Sequence, residues 1–256
     1  MTRAPIPYLP LAGFAAAFGL VEAAVVVDLR RLVDPAGTLF PRVALPPELL
    51  PMEMLREAST LVMLWIVAHL AGRDRTSRFA AFLFVFGLWD LAYYAALRAA
   101  IDWPRSLAAW DLLFLLPRPW YGPVYAPVAV ALVMAACGAV ALHQIAERGA
   151  FPVRARHVVG AAAGGGIVAA SFLASSPAGL LPERYRVELG AIGLAIGIVS
   201  FVDAFRSGAR GIPRLPLPSV SPRPPREPPP EGASSSAGAP TSTDRAWRAP
   251  PSRGAR

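Results

Sequence analysis

Long apolar runs, broken by short clusters of arginine, proline and acid, set the pattern of this chain. A helix that crosses the hydrocarbon layer needs roughly 20 mostly apolar residues at about 1.5 Å rise each. Six segments meet that need, near 8–29, 54–72, 78–100, 123–145, 157–180 and 187–206. The first, YLPLAGFAAAFGLVEAAVVV behind Arg3, has the outline of a secretory leader, but it carries Glu22 and runs past the usual length of a leader's apolar core. It is expected to stay as a spanning helix.

Between the third and fourth spans lies SLAAWDLLFLL, residues 106–116, apolar but too short to cross. Its composition predicts a re-entrant or interfacial helix, stopped by Pro117 and Pro119. The fold class is therefore an all-α, polytopic transmembrane bundle of about six spanning helices, residues 1–207, with this extra short helix. Gly160 and Gly164 on the fifth span, and Gly193 and Gly197 on the sixth, have the spacing at which helices approach closely. Residues 208–256 change character: proline, serine and arginine replace large apolar side chains, so the tail is expected to be disordered. Its proline runs could dock a protein partner as extended peptide.

Composition agrees with a membrane setting. Of 256 residues, 55% are hydrophobic and 16% charged, with a mean hydropathy of +0.45, too apolar for a soluble domain of this length. All 25 basic residues are arginine, a usage that points to a GC-rich bacterial genome. The net charge of +8 does not signal nucleic acid, because nine arginines lie from Arg206 onward. Cys137, the single cysteine, excludes an internal disulfide framework. No cofactor motif stands out, and His69, His143 and His157 lack metal-ligand spacing. Counting loop arginines outside the tail gives seven on the N-terminal side and nine on the other, so the positive-inside rule does not decide by number. The dense arginines in the two short connections favour cytoplasmic termini in a bacterial inner membrane.

Ionisable side chains at membrane depth are costly and mark functional sites. Glu22, Glu57 and Asp90 lie roughly 21, 22 and 18 Å along their helices from the same boundary, at one height in the outer leaflet under that orientation. Ala12, Ala15, Gly19 and Glu22 share a small-residue face, which turns Glu22 inward. Glu53, Arg56 and Glu57 form an ion-pair group one turn long. Phe86, Asp90, Tyr94 and Arg98 repeat every four residues, a polar ladder on one helical face. Trp103, Trp110 and Trp120 fit interface anchors and Trp89 an interface or packing residue, but the triplet Trp-Asp-Leu occurs twice, and Asp111 sits in an apolar segment just as Asp90 does. Toward the C-terminus, Asp203 is expected to pair with Arg206, and Ser171, Ser175 and Ser176 to bond their own helix backbone.

Three function classes follow. A small transporter or ion- or proton-conducting protein would line its path with Glu22, Glu57 and Asp90 and balance them with Arg56 or Arg98. A membrane-embedded enzyme on a lipid-linked substrate would use the carboxylates as acid and base. An assembly subunit would use the same polar groups only to weld helices. The expected ligand is a lipid or a small ion met within the bilayer. An open acid-lined cavity separates the first two classes from the third.

Overall fold

A computed structural model of the chain describes residues 8–33, 46–175 and 184–210. Six helices are long and apolar enough to cross a membrane. They are α1 (Tyr8–Val33), α2 (Leu50–Ala71), α3 (Arg75–Ile101), α4 (Tyr125–Arg148), α5 (Ala155–Ala174) and α6 (Val187–Arg210). Their outward faces are apolar, with Leu20, Val25, Ile66, Leu132 and Val199 all exposed. That inversion of the soluble pattern suits a bilayer, where only hydrogen-bonded backbone and apolar side chains can face lipid.

Local chemistry sets the helix ends. Pro10, Pro51 and Pro127 fall in first turns, where the missing N–H would have had no partner inside the helix. Asp74 caps α3 by accepting from the Ser77 N–H at 2.9 Å, and Ser77 Oγ accepts from the Asp74 N–H at 3.0 Å. Gly149 closes α4 at φ 82°, a left-handed conformation that favours glycine. Residues 176–183 and 211–256 lie outside the described residues, so the end of the predicted fifth span and nearly all of the tail do too.

Helix α3 is the centre of the bundle, packed against α1, α2 and α4. The closest approaches use small residues. A Cβ placed on Gly19 of α1 would stand 2.6 Å from the Trp89 carbonyl oxygen of α3. Gly87 of α3 and Gly138 of α4 meet each other's helix in the same way, and a Cβ at Gly138 would lie 2.7 Å from the Ala80 carbonyl oxygen. Gly164 and Gly193 lock α5 to α6, each Cβ position falling 2.6 Å from the other's carbonyl oxygen. The α5–α6 pair meets the rest chiefly where α6 touches α4 and where the segment after α3 touches α5.

That segment is not the predicted short helix. It is an antiparallel hairpin of β1 (Trp110–Phe114) and β2 (Trp120–Pro123), in the register Trp110↔Pro123, Asp111↔Gly122 and Leu112↔Tyr121. Four prolines between 117 and 127 remove helix donors, whereas the aromatic residues Trp110, Phe114, Trp120 and Tyr121 suit paired strands. The hairpin ends in two further backbone bonds, Val124 N–H to Ala109 O at 2.9 Å and Tyr125 N–H to Leu107 O at 2.8 Å.

Replacing Gly138 by Leu should overpack the α3–α4 contact and lower stability by about 1–3 kcal/mol. Gly13 faces open space, and Gly13→Leu should change stability by no more than about 0.5 kcal/mol. Unfolding of both variants in mixed detergent, followed by tryptophan fluorescence, checks the contrast.

Candidate functional site

A cavity of about 1000 Å³ lies among α2, α3, α4, α5 and α6, under the hairpin and partly open to the surroundings. Its lining on α3 runs from Arg75 to Tyr94, about 28 Å along the axis at ~1.5 Å per residue. Most of the wall is apolar: Phe79, Phe82 and Phe86 from α3, Val130 and Met134 from α4, Ala169 from α5, and Leu194 and Ile198 from α6. Polar groups gather at the hairpin end, where Glu22, Arg56, Glu57, Thr60, Asp90, Tyr93, Tyr94 and Asp111 all reach the lining.

Three of the carboxylates at this end are held by cations. Glu22, which is 6% exposed, accepts from the Arg56 guanidinium and, at 2.7 Å, from Thr60 Oγ1. Arg56 Nε donates to Glu53 at 2.9 Å. Asp111, at 1% exposure the most enclosed carboxylate, accepts from Arg30 Nη2, Tyr94 Oη and its neighbour's Leu112 N–H at 3.0–3.1 Å. The Arg30 guanidinium also lies 3.8 Å above the centre of the Trp103 ring. Burial pushes the Asp111 carboxyl up to about 6, against the opposing pull of Arg30, the Tyr94 hydroxyl and the Leu112 N–H. The ion pair thus does not fully offset the cost of taking the carboxylate out of water.

The other two carboxylates are less occupied. Glu57 Oε2 accepts the Leu115 N–H at 2.8 Å, tying the hairpin's turn to α2. Asp90 faces the cavity, and among the described residues no hydrogen-bond donor reaches it.

Glu22, Glu57, Asp90, Tyr94 and Asp111 therefore share one wall, with Glu53 and Arg56 beside them. Arg98 does not join them: exposed at the end of α3, it pairs with Asp102. The ladder fails there because Tyr94 turns to Asp111 while Arg98, one turn on, has reached the surface. Trp89 lines the cavity, and Trp120 stacks on Phe172 of α5 with ring centres 6.2 Å apart. Trp110 packs beside Phe172 and Tyr185.

Sequence reading missed Arg30, Thr60 and Tyr93. Arg30 was counted as a loop residue, although Glu22, Val26 and Arg30 form a stripe at intervals of four on α1. Thr60 follows Arg56 at the same interval.

The opposite end of the cavity is bounded by Phe151, His157, Ser200 and Phe201. His157 Nδ1 accepts the Arg154 N–H at 3.1 Å, and its Nε2 lies 3.0 Å from Asp203 Oδ2 and 3.2 Å from Arg156 Nε. Asp203 also pairs with Arg156 at 2.9 Å, so it reaches across to α5, a partnership absent from the sequence reading. Ser171 and Ser175 donate to Val168 O and Ser171 O. Among the described residues, no group of three His, Cys, Asp or Glu side chains could hold a metal ion.

Fold and site together define a polytopic membrane protein of six apolar helices around a partly open, mostly apolar cavity whose carboxylates gather at the hairpin end. No protein-family model, curated protein or solved structure matches the chain.

Asp111→Asn keeps the shape of the side chain but takes the negative charge out of the buried pair with Arg30, which should cost about 3 kcal/mol or more. Arg30→Met combined with Asp111→Asn should recover part of that loss. Unfolding midpoints of the two variants in mixed detergent check the coupling.

Proposed function

We propose that this chain is a membrane-embedded carrier that takes an amphipathic molecule from the bilayer into its cavity, the transport reading among the three classes. One observation supports it above the others: a cavity of about 1000 Å³ whose walls are mostly apolar, with a cluster of polar groups at the hairpin end and a few others, Arg75, Thr76, His157 and Ser200, elsewhere on the lining. Ligand sites have this character, mostly apolar lining with a few placed polar groups. An ion or proton path would call for polar groups or water along its length, and here apolar side chains such as Phe79, Phe82, Val130, Met134, Leu194 and Ile198 make up most of the wall between the two ends. A purely structural subunit would close such a void, since empty space forfeits packing.

Entry from the side fits the packing. Helices α2 and α5 both border the cavity yet make no extensive contact with each other. Small residues, Ala161, Ala162 and Gly165, line that edge of α5. In a bacterial plasma membrane with cytoplasmic termini, the polar end lies in the outer leaflet.

Gly165 lines the cavity, and a Cβ there would meet nothing within 4 Å. Gly165→Phe should therefore fill the space without disturbing helix packing. Liposomes holding the full chain are expected to speed leaflet-to-leaflet movement of a fluorescent single-chain amphipath over protein-free liposomes. The variant should lose most of that gain at an unchanged melting temperature. Equal rates with and without the wild-type protein would overturn the carrier reading.

A further inference from the structure

The balance of charge at the polar end says what kind of head group the cavity takes. Five carboxylates, Glu22, Glu53, Glu57, Asp90 and Asp111, face two arginines. Both arginines are committed: Arg30 to Asp111 and the Trp103 ring, Arg56 to Glu22 and Glu53. Glu57 receives one backbone N–H, and Asp90 receives no donor at all among the described residues. An uncompensated carboxylate away from bulk water is expensive, and such groups in proteins are normally paired. A positive charge carried in by a ligand would complete this wall.

We propose that the ligand is an amphipathic cation, an ammonium or comparable single positive charge on an apolar body, seated with its head against Asp90 and its tail along the apolar wall toward Phe201. This rests on the carrier reading of the cavity. The walls around Asp90 suit a cation twice over, since Trp89, Tyr93 and Phe86 present aromatic rings beside the carboxylate. Tyr93 lines the cavity too, and its hydroxyl makes no hydrogen bond among the described residues, leaving an acceptor for an N–H of the head group. Glu57 of α2 puts a second carboxylate on the same lining. A phosphate or carboxylate head would meet these same groups as like charges. A bare metal ion would find no set of three ligating side chains among the described residues.

The test compares dodecylamine with dodecanol, which share a chain and differ in charge, on the full-length protein in phosphatidylcholine nanodiscs. Bound ligand is counted by native mass spectrometry and referenced to protein-free discs, so that simple partition into lipid cancels. Wild-type protein is expected to prefer the amine by roughly tenfold or more, the ratio a single charge-assisted hydrogen bond provides. Asp90→Asn, nearly the same in shape, should erase most of that preference while dodecanol binding stays as it was. Glu57→Gln is the second variant and should reduce the preference in part. Equal binding of amine and alcohol by the wild type would overturn the cationic head group and leave the carrier reading standing. Binding of neither would overturn both. An amine preference that survives in both variants would overturn the assignment to this wall. The wild-type ratio needs no mutant, so a variant that fails to fold does not remove the decision.

Discussion

The contact between Arg30 and Asp111 holds the polar end together. A hairpin beside a helical bundle has unpaired edges, and at membrane depth such backbone is tolerated only when protein or a cavity takes it up. Here the α1 guanidinium and the α3 phenol both fasten Asp111, and the α2 carboxylate takes the Leu115 N–H at the hairpin's turn. Because Asp111 is almost wholly enclosed, its position leaves no slack: α1, α3 and β1 must meet at one place. The polar end of the cavity has its shape because these three elements are pinned there.

Small and polar residues divide the work of assembly. Where backbones touch, at Gly19 against α3, Gly87 against Ala131 and Ala135, Gly138 against Ala80 and Phe84, and Gly164 against Gly193, contact is made by leaving side chains out. Where carboxylates and arginines meet, helices stand farther apart and side chains bridge the gap, as between Glu22 of α1 and Arg56 and Thr60 of α2. The cavity lies where neither device operates, between α2 with α3 on one side and α5 with α6 on the other. Apolar side chains such as Phe82 and Ile198 line it without meeting across it.

Much of this was legible from the chain. Six spans were visible because a helix must be apolar over about 20 residues to cross, a demand that composition meets or fails without any tertiary information. The small-residue face of α1 and the glycine spacing of α5 and α6 were legible for a similar reason, as helical periodicity projects them onto one side. Glu22, Glu57 and Asp90 were singled out by counting rise, and all three reach the cavity lining. Three things escaped. The hairpin's backbone partner lies after two prolines, so residues 106–116 alone read as a helix. Arg30 looked like a loop residue, because α1 runs four residues beyond its apolar stretch to Val33. The fate of Arg98 turned on where α3 meets the surface, which no pattern along α3 states.

The interlocked glycines of α3 and α4 have a mechanical consequence. With each backbone resting on the other, that wall can neither thicken nor slide without a clash, so it behaves as a stiff plate. The α5–α6 pair is just as rigid within itself but is fastened to the plate along a narrow line, at α4 and at the ring stack of Trp120 on Phe172. Any change in the width of the space between them falls on that seam, as a book opens at its spine.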